Sequence, residues 1–342
     1  MPAPREEPVP TFVAPLMLPY TDVPVLINSF NRLRPLRHLV DWLRRAGQRR
    51  IVIIDNGSSF PPLVEWLDRI ERLGWCTVIR LGFNHGHLAL WRQNLLAALE
   101  IRSEFVYTDP DVVPAASCPL DIVARLQRLL RDEPGIHRVG LGLDLGSIPH
   151  HYQHRDSVLA WERQFWLHPV TPTLFRAALD TTFALYRPGS CHDFALPTLR
   201  TGAPSVALHE GWSIDSRSPS EEDRFYFGVA DPAITSWGAP TLPSRLTEAL
   251  RLRPPHPRIL NITERGASPL PGYCNADLAD ACDARPGQFD AIHGGSTLGR
   301  TARDARHWRA LHRAAKAGAR LTLRLESGGG LRRCWSARHG SH

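Results

Sequence analysis

The regular alternation of strand-like and helix-like segments constrains the fold of this chain more than any other feature. Between residues 25 and 143, short apolar runs alternate with segments whose apolar residues recur at helical spacing. The first helical segment opens at Pro35 and stops before Gly47, and its apolar positions at i, i+3, i+4 and i+7 are Leu36, Leu39, Val40 and Leu43. Strands that alternate with amphipathic helices predict an α/β fold, with a mostly parallel sheet covered by helices on both faces.

Five strands and four helices are predicted in this region. The strands correspond to VLINSF, RIVIIDN, CTVIRLG, EFVYTD and RVGLGLDL. The second helix presents Leu63, Trp66, Leu67 and Ile70 on one face, and the third and fourth cover residues 88–99 and 120–131. Past residue 150 the alternation stops, and residues 150–238, rich in Trp, His, Pro and Phe, are expected to form loops and short elements around a site.

The remaining segments predict a second, smaller α/β unit. Its signals are the strand-like RILNI and RLTLRL, with a helix over residues 302–315 between them. The expected organisation is an N-terminal extension (1–22), a main domain (23–240, with halves 23–150 and 151–240), a Pro-rich linker (241–257), the small unit (258–325) and a disordered tail (326–342).

Composition narrows the class of protein. The 43% apolar and 22% charged residues are those of a folded protein, and the net charge of +7 comes mainly from arginine. This charge fits phosphorylated ligands or an anionic membrane surface. No basic patch interleaved with aromatic residues indicates nucleic-acid binding.

Cellular location is predicted from the cysteines and the N-terminus. The six cysteines are scattered, without CxxC pairs or zinc-ligand spacing, which favours a reducing compartment. The N-terminal MPAPREEPVPTF lacks the basic start and apolar core of a signal peptide, and no apolar run is long enough to span a membrane. We therefore expect a cytoplasmic protein, with peripheral association at the inner face of the membrane as an open alternative.

The turns that follow the predicted strands carry the polar residues. In a parallel sheet the carboxyl ends of the strands share one edge, where ligands bind. The residues expected there are Asn28, Ser29, Asn31 and Arg32, then Asp55 with Asn56, Gly57 and Ser58, then Gly82 to His87, and finally Asp109 and Asp111. We expect these turns to form a pocket suited to a nucleoside diphosphate, because they bring an acid, amides, small residues and a carboxylate pair to one edge.

Asp109 and Asp111 are the most informative of these residues. They end the run EFVYTDPDVVP, in which Pro110 turns the chain out of the sheet. Two hard oxygen ligands on a rigid turn suit Mg²⁺ or Mn²⁺ held against a diphosphate. A solvated Asp-Pro-Asp turn is the alternative reading of the same residues.

Four motifs in order resemble a known enzyme family. LINSFNR, VIIDNGSS, RLGFNHGHLALWRQN and VYTDPDVVP are similar to the nucleotide-sugar half of family-2-like glycosyltransferases with the GT-A fold, over about residues 23–240. The resemblance implies that Asp109 and Asp111 form a DXD pair that binds the divalent metal and the donor phosphates. It also implies that Asp55 contacts the base or ribose. The nucleoside or the sugar nucleotide would further be lined by Asn28, Asn31, Asn84, Gly86 and Asn94.

The second half of the main domain offers acceptor-side residues. An inverting transferase needs a carboxylate that deprotonates the acceptor hydroxyl. The resemblance favours Glu222 or Asp223 in the acidic cluster that begins at Glu221, with Asp180 in reserve. Because a Pro-Ser turn precedes this cluster, it can equally be the first turn of a solvated helix. His209 is a candidate metal ligand or phosphate contact.

Two other sets of residues have open interpretations. Arg187, which follows the strand-like run after Asp180, is a further acceptor-side candidate. Three tryptophans could stack on sugar faces, although packing against the sheet is expected for at least two of them: Trp161, Trp166 and Trp212. In the small unit, LNITERGASPLPGYCNADL, FDAIHGGSTLGR and AGARLTL resemble fragments of a class I S-adenosylmethionine methyltransferase, with an acid at Asp277. Its loop reads Thr263 to Gly266 where glycines would be expected, which predicts a shortened, inactive relative.

The predicted function is transfer of a sugar from a nucleotide-diphosphate donor to an acceptor hydroxyl, with Mn²⁺ or Mg²⁺ as cofactor. By resemblance the acceptor is a glycan or a lipid-linked glycan, in bacterial surface polysaccharide or lipopolysaccharide assembly. The alternatives are a degenerate sugar-nucleotide-binding scaffold and a bifunctional glycosyltransferase and methyltransferase. A nucleotidyltransferase would ordinarily carry an early glycine- and lysine-rich phosphate loop, which this sequence lacks.

Overall fold

The structure of the protein is a computed structural model that describes eight stretches of the chain. These are residues 22–193, 195–231, 259–262, 274–278, 281, 288–294, 305–326 and 332–338. The expected N-terminal extension apart from Asp22, the Pro-rich linker and the Thr263 to Gly266 loop lie outside the described residues.

Fifteen β-strands are described. They are β1 (Val25–Ser29), β2 (Ile51–Asp55), β3 (Thr77–Arg80), β4 (Phe105–Thr108), β5 (Val112–Pro114), β6 (Arg138–Leu143), β7 (Pro169–Thr171), β8 (Leu174–Arg176), β9 (Ala184–Tyr186), β10 (Thr198–His209), β11 (Ile259–Ile262), β12 (Cys274–Ala276), β13 (Phe289–Gly294), β14 (Ala315–Glu326) and β15 (Arg332–Arg338).

Eight α-helices are described with them. They are α1 (Leu33–Arg45), α2 (Pro61–Arg72), α3 (Ala89–Arg92), α4 (Leu95–Ala98), α5 (Ile122–Asp132), α6 (Arg155–Glu162), α7 (Glu221–Val229) and α8 (Ala305–Ala314). Two 3-10 helices cover Arg163–Trp166 and Glu210–Ser213. No helix of the described stretches combines the length and the apolar character needed to cross a membrane.

The main sheet has the strand order β3-β2-β1-β4-β9-β6-β10-β8-β7, and β5 also pairs with β10. β2 pairs in parallel with β3 and with β1, β1 with β4, and β6 with β10. β9 lies antiparallel between β4 and β6. Six strands therefore run in one direction, with their carboxyl ends at one edge, and the mostly parallel α/β sheet expected from the sequence is confirmed.

Side chains from alternate positions of the strands fill two cores. Val25 and Ile27 of β1 pack on the face that carries α1, α2 and α5, whereas Leu26 packs with Ala89 and Leu90 on the opposite face. This is the period-two alternation of a strand buried on both sides. Helices therefore cover both faces, as expected from the sequence.

Among the elements predicted around the main sheet, the third helix differs most from the structure. The segment 88–99 forms two single-turn helices, α3 and α4, in place of one. The break lies at Asn94, which has a left-handed backbone with φ of 50°. Asparagine tolerates this conformation better than most residues, and the apolar spacing on either side does not reveal it.

The second sheet has the order β12-β11-β13-β14-β15, with β15 antiparallel and the other pairs parallel. Its own core includes Leu260, Phe289, Ile292 and Leu311. The expectation of a disordered tail over 326–342 is wrong for Arg332–Arg338, because this segment pairs with β14 as a strand. The glycine-rich start and polar composition of the tail predict disorder, because they do not show that this strand obtains its backbone hydrogen bonds from neighbouring β14.

Candidate functional site

The carboxyl edge of the main sheet brings most of the predicted site residues together. The turns after β1, β2, β3 and β4 lie on this edge, since these strands are parallel neighbours. The segment that leads into antiparallel β9 reaches the same edge, because the amide nitrogen of Asp109 donates to the Thr181 carbonyl at 2.9 Å. The end of β10 joins them, since His209 is paired in register with Val112.

The loop after β3 is held by amide side chains from β1 and β2. The Asn56 side-chain nitrogen donates to the Gly86 carbonyl at 2.9 Å, and that of Asn28 donates to the same oxygen at 3.3 Å. The amide of His85 donates to Asn56 Oδ1 at 2.8 Å, and Asn84 Oδ1 accepts from the Gly86 amide at 2.8 Å. Asn56 thus fixes the loop, although sequence reasoning saw in it only a polar turn residue.

The same loop rests directly on the backbone at Gly57. This glycine has φ of 82°, and a Cβ built on it would lie 2.5 Å from the Phe83 Cα. The close approach leaves the Phe83 ring 64% exposed, against the His85 ring at a centroid distance of 3.8 Å.

Asn31 orders the chain between β2 and α2. Its backbone is left-handed, with φ of 50°, and its Oδ1 accepts hydrogen bonds from the amides of Ser59 at 2.8 Å and Phe60 at 2.9 Å. Its own amide donates to Ser58 Oγ at 2.9 Å. Asn31 is predicted to line the nucleoside, but its side-chain oxygen is already used by these two backbone amides.

Asp55 ends β2 as a buried carboxylate. Its Oδ1 accepts from the Ser58 amide at 3.1 Å. Burial raises the pKa of Asp55, against the opposing effects of the Ser58 hydrogen bonds and the Arg80 cation. A ligand that donates hydrogen bonds would offset the cost of burying this charge.

Asp109 is the more enclosed of the two carboxylates of the predicted DXD pair. Its Oδ2 accepts from Thr181 Oγ1 at 2.5 Å. Burial, followed by the nearby charges of Asp111 and Asp180, raises the pKa of Asp109 well above its usual value, although the Thr181 bond opposes this shift. A cation bound at this position would favour the ionised form.

Asp111 lies against the turn that follows β10. Its Oδ2 is 3.7 Å from His209 Nδ1, and its carbonyl accepts from the Glu210 amide at 2.8 Å. The His209 ring stacks on Trp212 at a centroid distance of 4.5 Å. A Cβ on Gly211 would come within 2.9 Å of Asp111 Oδ2 and 3.0 Å of the His209 ring, so a larger residue here would have to displace these side chains.

Five buried polar side-chain atoms along this edge have no hydrogen-bond partner in the structure. They are Ser29 Oγ, Asn31 Nδ2, Thr182 Oγ1, His209 Nδ1 and Trp212 Nε1. Such atoms are uncommon in folded proteins, because each one loses its bonds to water on burial. Ordered water or a polar ligand at this edge would satisfy them.

Arg32 is a site residue whose burial the sequence did not reveal. It follows β1, donates to Asp223 Oδ1 at 2.8 Å and lies over the Tyr226 ring at 4.9 Å. Burial opposes its charge, but the carboxylates of Asp111 and Asp223 outweigh that effect and raise its pKa. The guanidinium therefore places a permanent positive charge next to Asp111.

The predicted general bases Glu222 and Asp223 lie in the first turn of α7, where Ser220 forms a capping box with Asp223. Glu222 Oε2 accepts from the Arg34 amide at 2.9 Å, at the N-terminus of α1. Burial opposes charge on Asp223, yet the Ser220 and Arg32 contacts together lower its pKa. Both side chains thus fasten α7 to α1.

Asp180 differs from these two carboxylates in its exposure. Its side chain is 58% exposed, 4.0 Å from His192 Nε2, and its Oδ1 accepts from the Thr181 amide at 2.8 Å. Since Thr181 also contacts Asp109, the structure places Asp180 beside Asp109.

The remaining acceptor-side candidates mostly stabilise the fold. Arg187 donates to carbonyls at the C-terminal end of α5, those of Leu130, Glu133 and Ile136. Trp166 and Trp212 are buried in the main core. Two of the three tryptophans therefore pack against the sheet, as the sequence analysis allowed.

The residues present are compatible with a divalent cation. In the described part of the chain, no group of three His, Cys, Asp or Glu side chains is gathered closely enough to hold an ion by itself. Asp109 and Asp111 supply carboxylate oxygens, and His209 Nδ1 is buried beside Asp111 without a hydrogen-bond partner. This donor set suits a cation whose shell is completed by ligand phosphates.

Comparisons with known proteins leave the family unassigned. No protein-family model matches the chain, and no curated protein does. Matching solved structures include the mannosyltransferase PcManGT from Pyrobaculum calidifontis in complex with GDP-Man and Mn²⁺, at 14% identity, TM-score 0.37 and 70% coverage of each chain. Others are GalNAc-T7 with UDP, GalNAc and Mn²⁺ (14% identity, TM-score 0.36, 55% of this chain and 43% of that one) and glucosyl-3-phosphoglycerate synthase from Mycobacterium tuberculosis (17%, 0.31, 48% and 56%).

These neighbours are nucleotide-sugar-dependent glycosyltransferases. At such identities and TM-scores they carry no argument about the chemistry of this chain. The chemistry of this chain has to be inferred from its own residues.

Proposed function

We propose that the protein is a metal-dependent glycosyltransferase that moves a sugar from a nucleotide-diphosphate donor to an acceptor hydroxyl. The observation that carries the proposal is the pair Asp109 and Asp111 at the carboxyl edge of the sheet, among buried polar atoms that lack partners. A carboxylate pair on a rigid turn and unpaired hydrogen-bonding groups are what a metal–diphosphate ligand requires.

The residues that would hold the metal are Asp109 and Asp111, and His209, the third predicted ligand, lies beside them with its Nδ1 3.7 Å from Asp111 Oδ2. When bound, Mn²⁺ or Mg²⁺ would supply positive charge to the leaving diphosphate. The buried guanidinium of Arg32 adds a fixed positive charge beside Asp111. Charge of this kind costs no reorganisation during the reaction, because the Asp223 contact already orients it.

The nucleoside would bind beside the turns after β1, β2 and β3. Asp55 offers a carboxylate to base or ribose, and the loop that contains Asn84 and Gly86 forms a wall fixed by Asn28 and Asn56. Asn31 has only its Nδ2 left for a ligand, since the α2 N-terminus uses its oxygen. Asn94, at the α3–α4 break, is proposed to line the donor on the sequence resemblance alone.

The contacts favour Asp180 as the acceptor-side base over the two alternatives in α7. Glu222 and Asp223 already accept hydrogen bonds from the α1 N-terminus and from Arg32. Asp180 is exposed beside the DXD pair, where an acceptor can reach it. A base must lie within hydrogen-bond reach of the proton that it removes.

The biological setting is proposed on the sequence resemblance. It implies a hexosyltransferase of bacterial surface polysaccharide or lipopolysaccharide assembly, with a glycan or lipid-linked glycan acceptor. The net charge of +7 fits a cytoplasmic protein that associates peripherally with the anionic inner face of the membrane. We propose that the second sheet is a shortened methyltransferase-like unit that packs or docks.

Calorimetric titration tests the function directly. Nucleoside diphosphates and nucleotide sugars would be titrated into the protein with Mn²⁺ and then with EDTA. We expect one nucleotide class to bind with metal only, and Asp111→Ala to weaken that binding at least tenfold. Asp121→Ala is the control, because this exposed carboxylate pairs with Arg125 away from the site.

Two results would contradict the proposal. One is a folded protein that binds no nucleotide with or without metal, which would favour the scaffold alternative. The other is binding that survives both EDTA and Asp111→Ala, which would separate the nucleotide from the carboxylate pair.

A further inference from the structure

A buried histidine lies behind the exposed carboxylate of Asp180. The His192 side chain is 2% exposed and sits against the rings of Trp91 and Tyr186, at centroid distances of 5.4 and 6.4 Å. Its Nδ1 is 3.0 Å from the Tyr186 hydroxyl, and its Nε2 is 4.0 Å from Asp180 Oδ1. The two ring nitrogens therefore face two different groups.

The surroundings determine the protonation of this ring. Burial, followed by the Arg138 cation, lowers the pKa of His192 to about 4, while Asp180 and Asp193 oppose the shift and His87 adds to it. Burial also raises the pKa of Tyr186, so the phenol keeps its proton. The imidazole is thus neutral at pH 7 and has one N–H.

The neighbours of the ring favour one tautomer, because the Asp180 carboxylate near Nε2 can only accept a proton and the Tyr186 hydroxyl can donate to Nδ1. If the phenol donates to Nδ1, this nitrogen is an acceptor and the hydrogen must be on Nε2. The Nε2–H then faces the Asp180 carboxylate, whose Oδ1 already accepts from the Thr181 amide. Because Thr181 Oγ1 also binds Asp109, this arrangement reaches the proposed metal pair.

We propose that His192 is a positioning residue for Asp180: a neutral imidazole, held in the Nε2–H tautomer by Tyr186, that orients the carboxylate facing the acceptor. The role of Asp180 toward the acceptor rests on the proposed function. In the transfer step the acceptor oxygen bonds to the anomeric carbon and its proton passes to Asp180. The bond from that carbon to the diphosphate breaks, and the electron pair leaves with the diphosphate.

The orientation matters because an exposed aspartate otherwise samples several rotamers. The Thr181 hydrogen bond and the electrostatic attraction of the Nε2–H, 4.0 Å away, both act on Oδ1, which leaves the other oxygen available for the acceptor. Second-layer contacts that orient a functional group commonly account for about 10- to 100-fold in activity. His192 acts on the acceptor step, so donor binding should not depend on it.

The tautomer can be tested without any substrate. Long-range ¹H–¹⁵N spectra of the imidazole at pH 7 should show the proton on Nε2. Its Hε2 resonance should move upfield in Asp180→Asn, which removes the charged acceptor. A proton on Nδ1, or a resonance that Asp180→Asn leaves in place, would overturn the proposal.

Kinetics test the role in catalysis with a matched pair of variants. Glutamine can present its side-chain nitrogen near the position of Nε2, whereas leucine fills similar space without a donor. With UDP-glucose or GDP-mannose and Mn²⁺, donor hydrolysis by His192→Leu should show kcat lowered about 10- to 100-fold at unchanged KM. His192→Gln should restore much of it. Equal kcat in both variants and the wild type would overturn the proposal.

The two experiments separate the two claims. If the calorimetric titration shows no metal-dependent nucleotide binding, the glycosyltransferase proposal loses its support, and the imidazole spectra alone decide whether His192 orients Asp180. Near-UV circular dichroism of each variant establishes that the aromatic cluster around Trp91 is intact.

Discussion

At the scale of single residues, the site is built by backbone conformations and buried polar atoms. Asn31 and Asn94 both have left-handed backbones, and Gly57 lets the loop after β3 approach its own chain. None of these features affects hydrophobic periodicity. Sequence reasoning therefore identified these residues as polar or small, but not the contacts that they make.

Two glycines with the same backbone conformation provide a test of the close approach. Gly57 and Gly82 have φ of 82° and 80°, but only at Gly57 would a Cβ meet other atoms within 4 Å. Gly82→Ala should cost about 1–2 kcal/mol of unfolding free energy from backbone strain alone. Gly57→Ala should cost clearly more, because the Phe83 backbone must move as well. Urea unfolding measures both, and equal losses would mean that the contact is unimportant.

The buried His192 predicts a pH dependence of stability. Since its pKa falls from 6.5 to about 4 on folding, the unfolded chain takes up the proton first as the pH decreases. Its contribution is therefore complete above about pH 6.5 and is lost between about pH 6.5 and 4, amounting to about 3 kcal/mol. Urea unfolding across this range should show a smaller loss for His192→Gln, which has no titrating ring. Parallel profiles for the two proteins would contradict the prediction.

At the scale of elements, α7 is attached by polar and aromatic contacts at its edges. None of its residues is fully buried, so burial of an apolar face contributes little. The Arg32–Asp223 ion pair, the Glu222 contact with the Arg34 amide and the Phe60–Phe225 ring pair at 5.1 Å hold it in place. This helix should open locally before the sheet does.

Substitutions of two arginines distinguish the contribution of the Arg32–Asp223 ion pair from that of the Glu222 contact with the α1 N-terminus. Arg32→Ala leaves the part-buried Asp223 with only its Ser220 contacts and should lower the local opening free energy of α7 by about 2 kcal/mol. Arg34→Ala should change it little, because Glu222 contacts the backbone of Arg34 and not its side chain. Hydrogen exchange of residues 221–229 measures both. Unchanged protection in Arg32→Ala would show that the aromatic contacts suffice.

At the scale of the whole molecule, the described residues form two sheets with separate cores. The clusters of the main sheet draw on residues 23–225, and the cluster of the second sheet on residues 260–315. The main sheet should therefore not need the second one to fold.

Truncation after residue 231 tests this independence. We expect the shortened chain to unfold cooperatively and to bind metal and nucleotide as the full chain does, since the site residues identified above all precede this position. Circular dichroism and the calorimetric titration measure the two properties. A shortened chain that aggregates or fails to bind would show that the second sheet supports the first.

The sequence by itself determined the α/β class, the order of the first strands and helices, and the polar turns at one edge. It could do so because burial on both faces of a parallel sheet and helical spacing leave a periodic mark on the chain. Only the tertiary structure decided that β9 is antiparallel, that Glu222 and Asp223 hold α7 to α1, and that Arg32 and His192 lie buried beside the carboxylates. Contacts between residues such as Arg32 and Asp223, 191 positions apart, leave no periodic signal, because they depend on how separate elements meet in space.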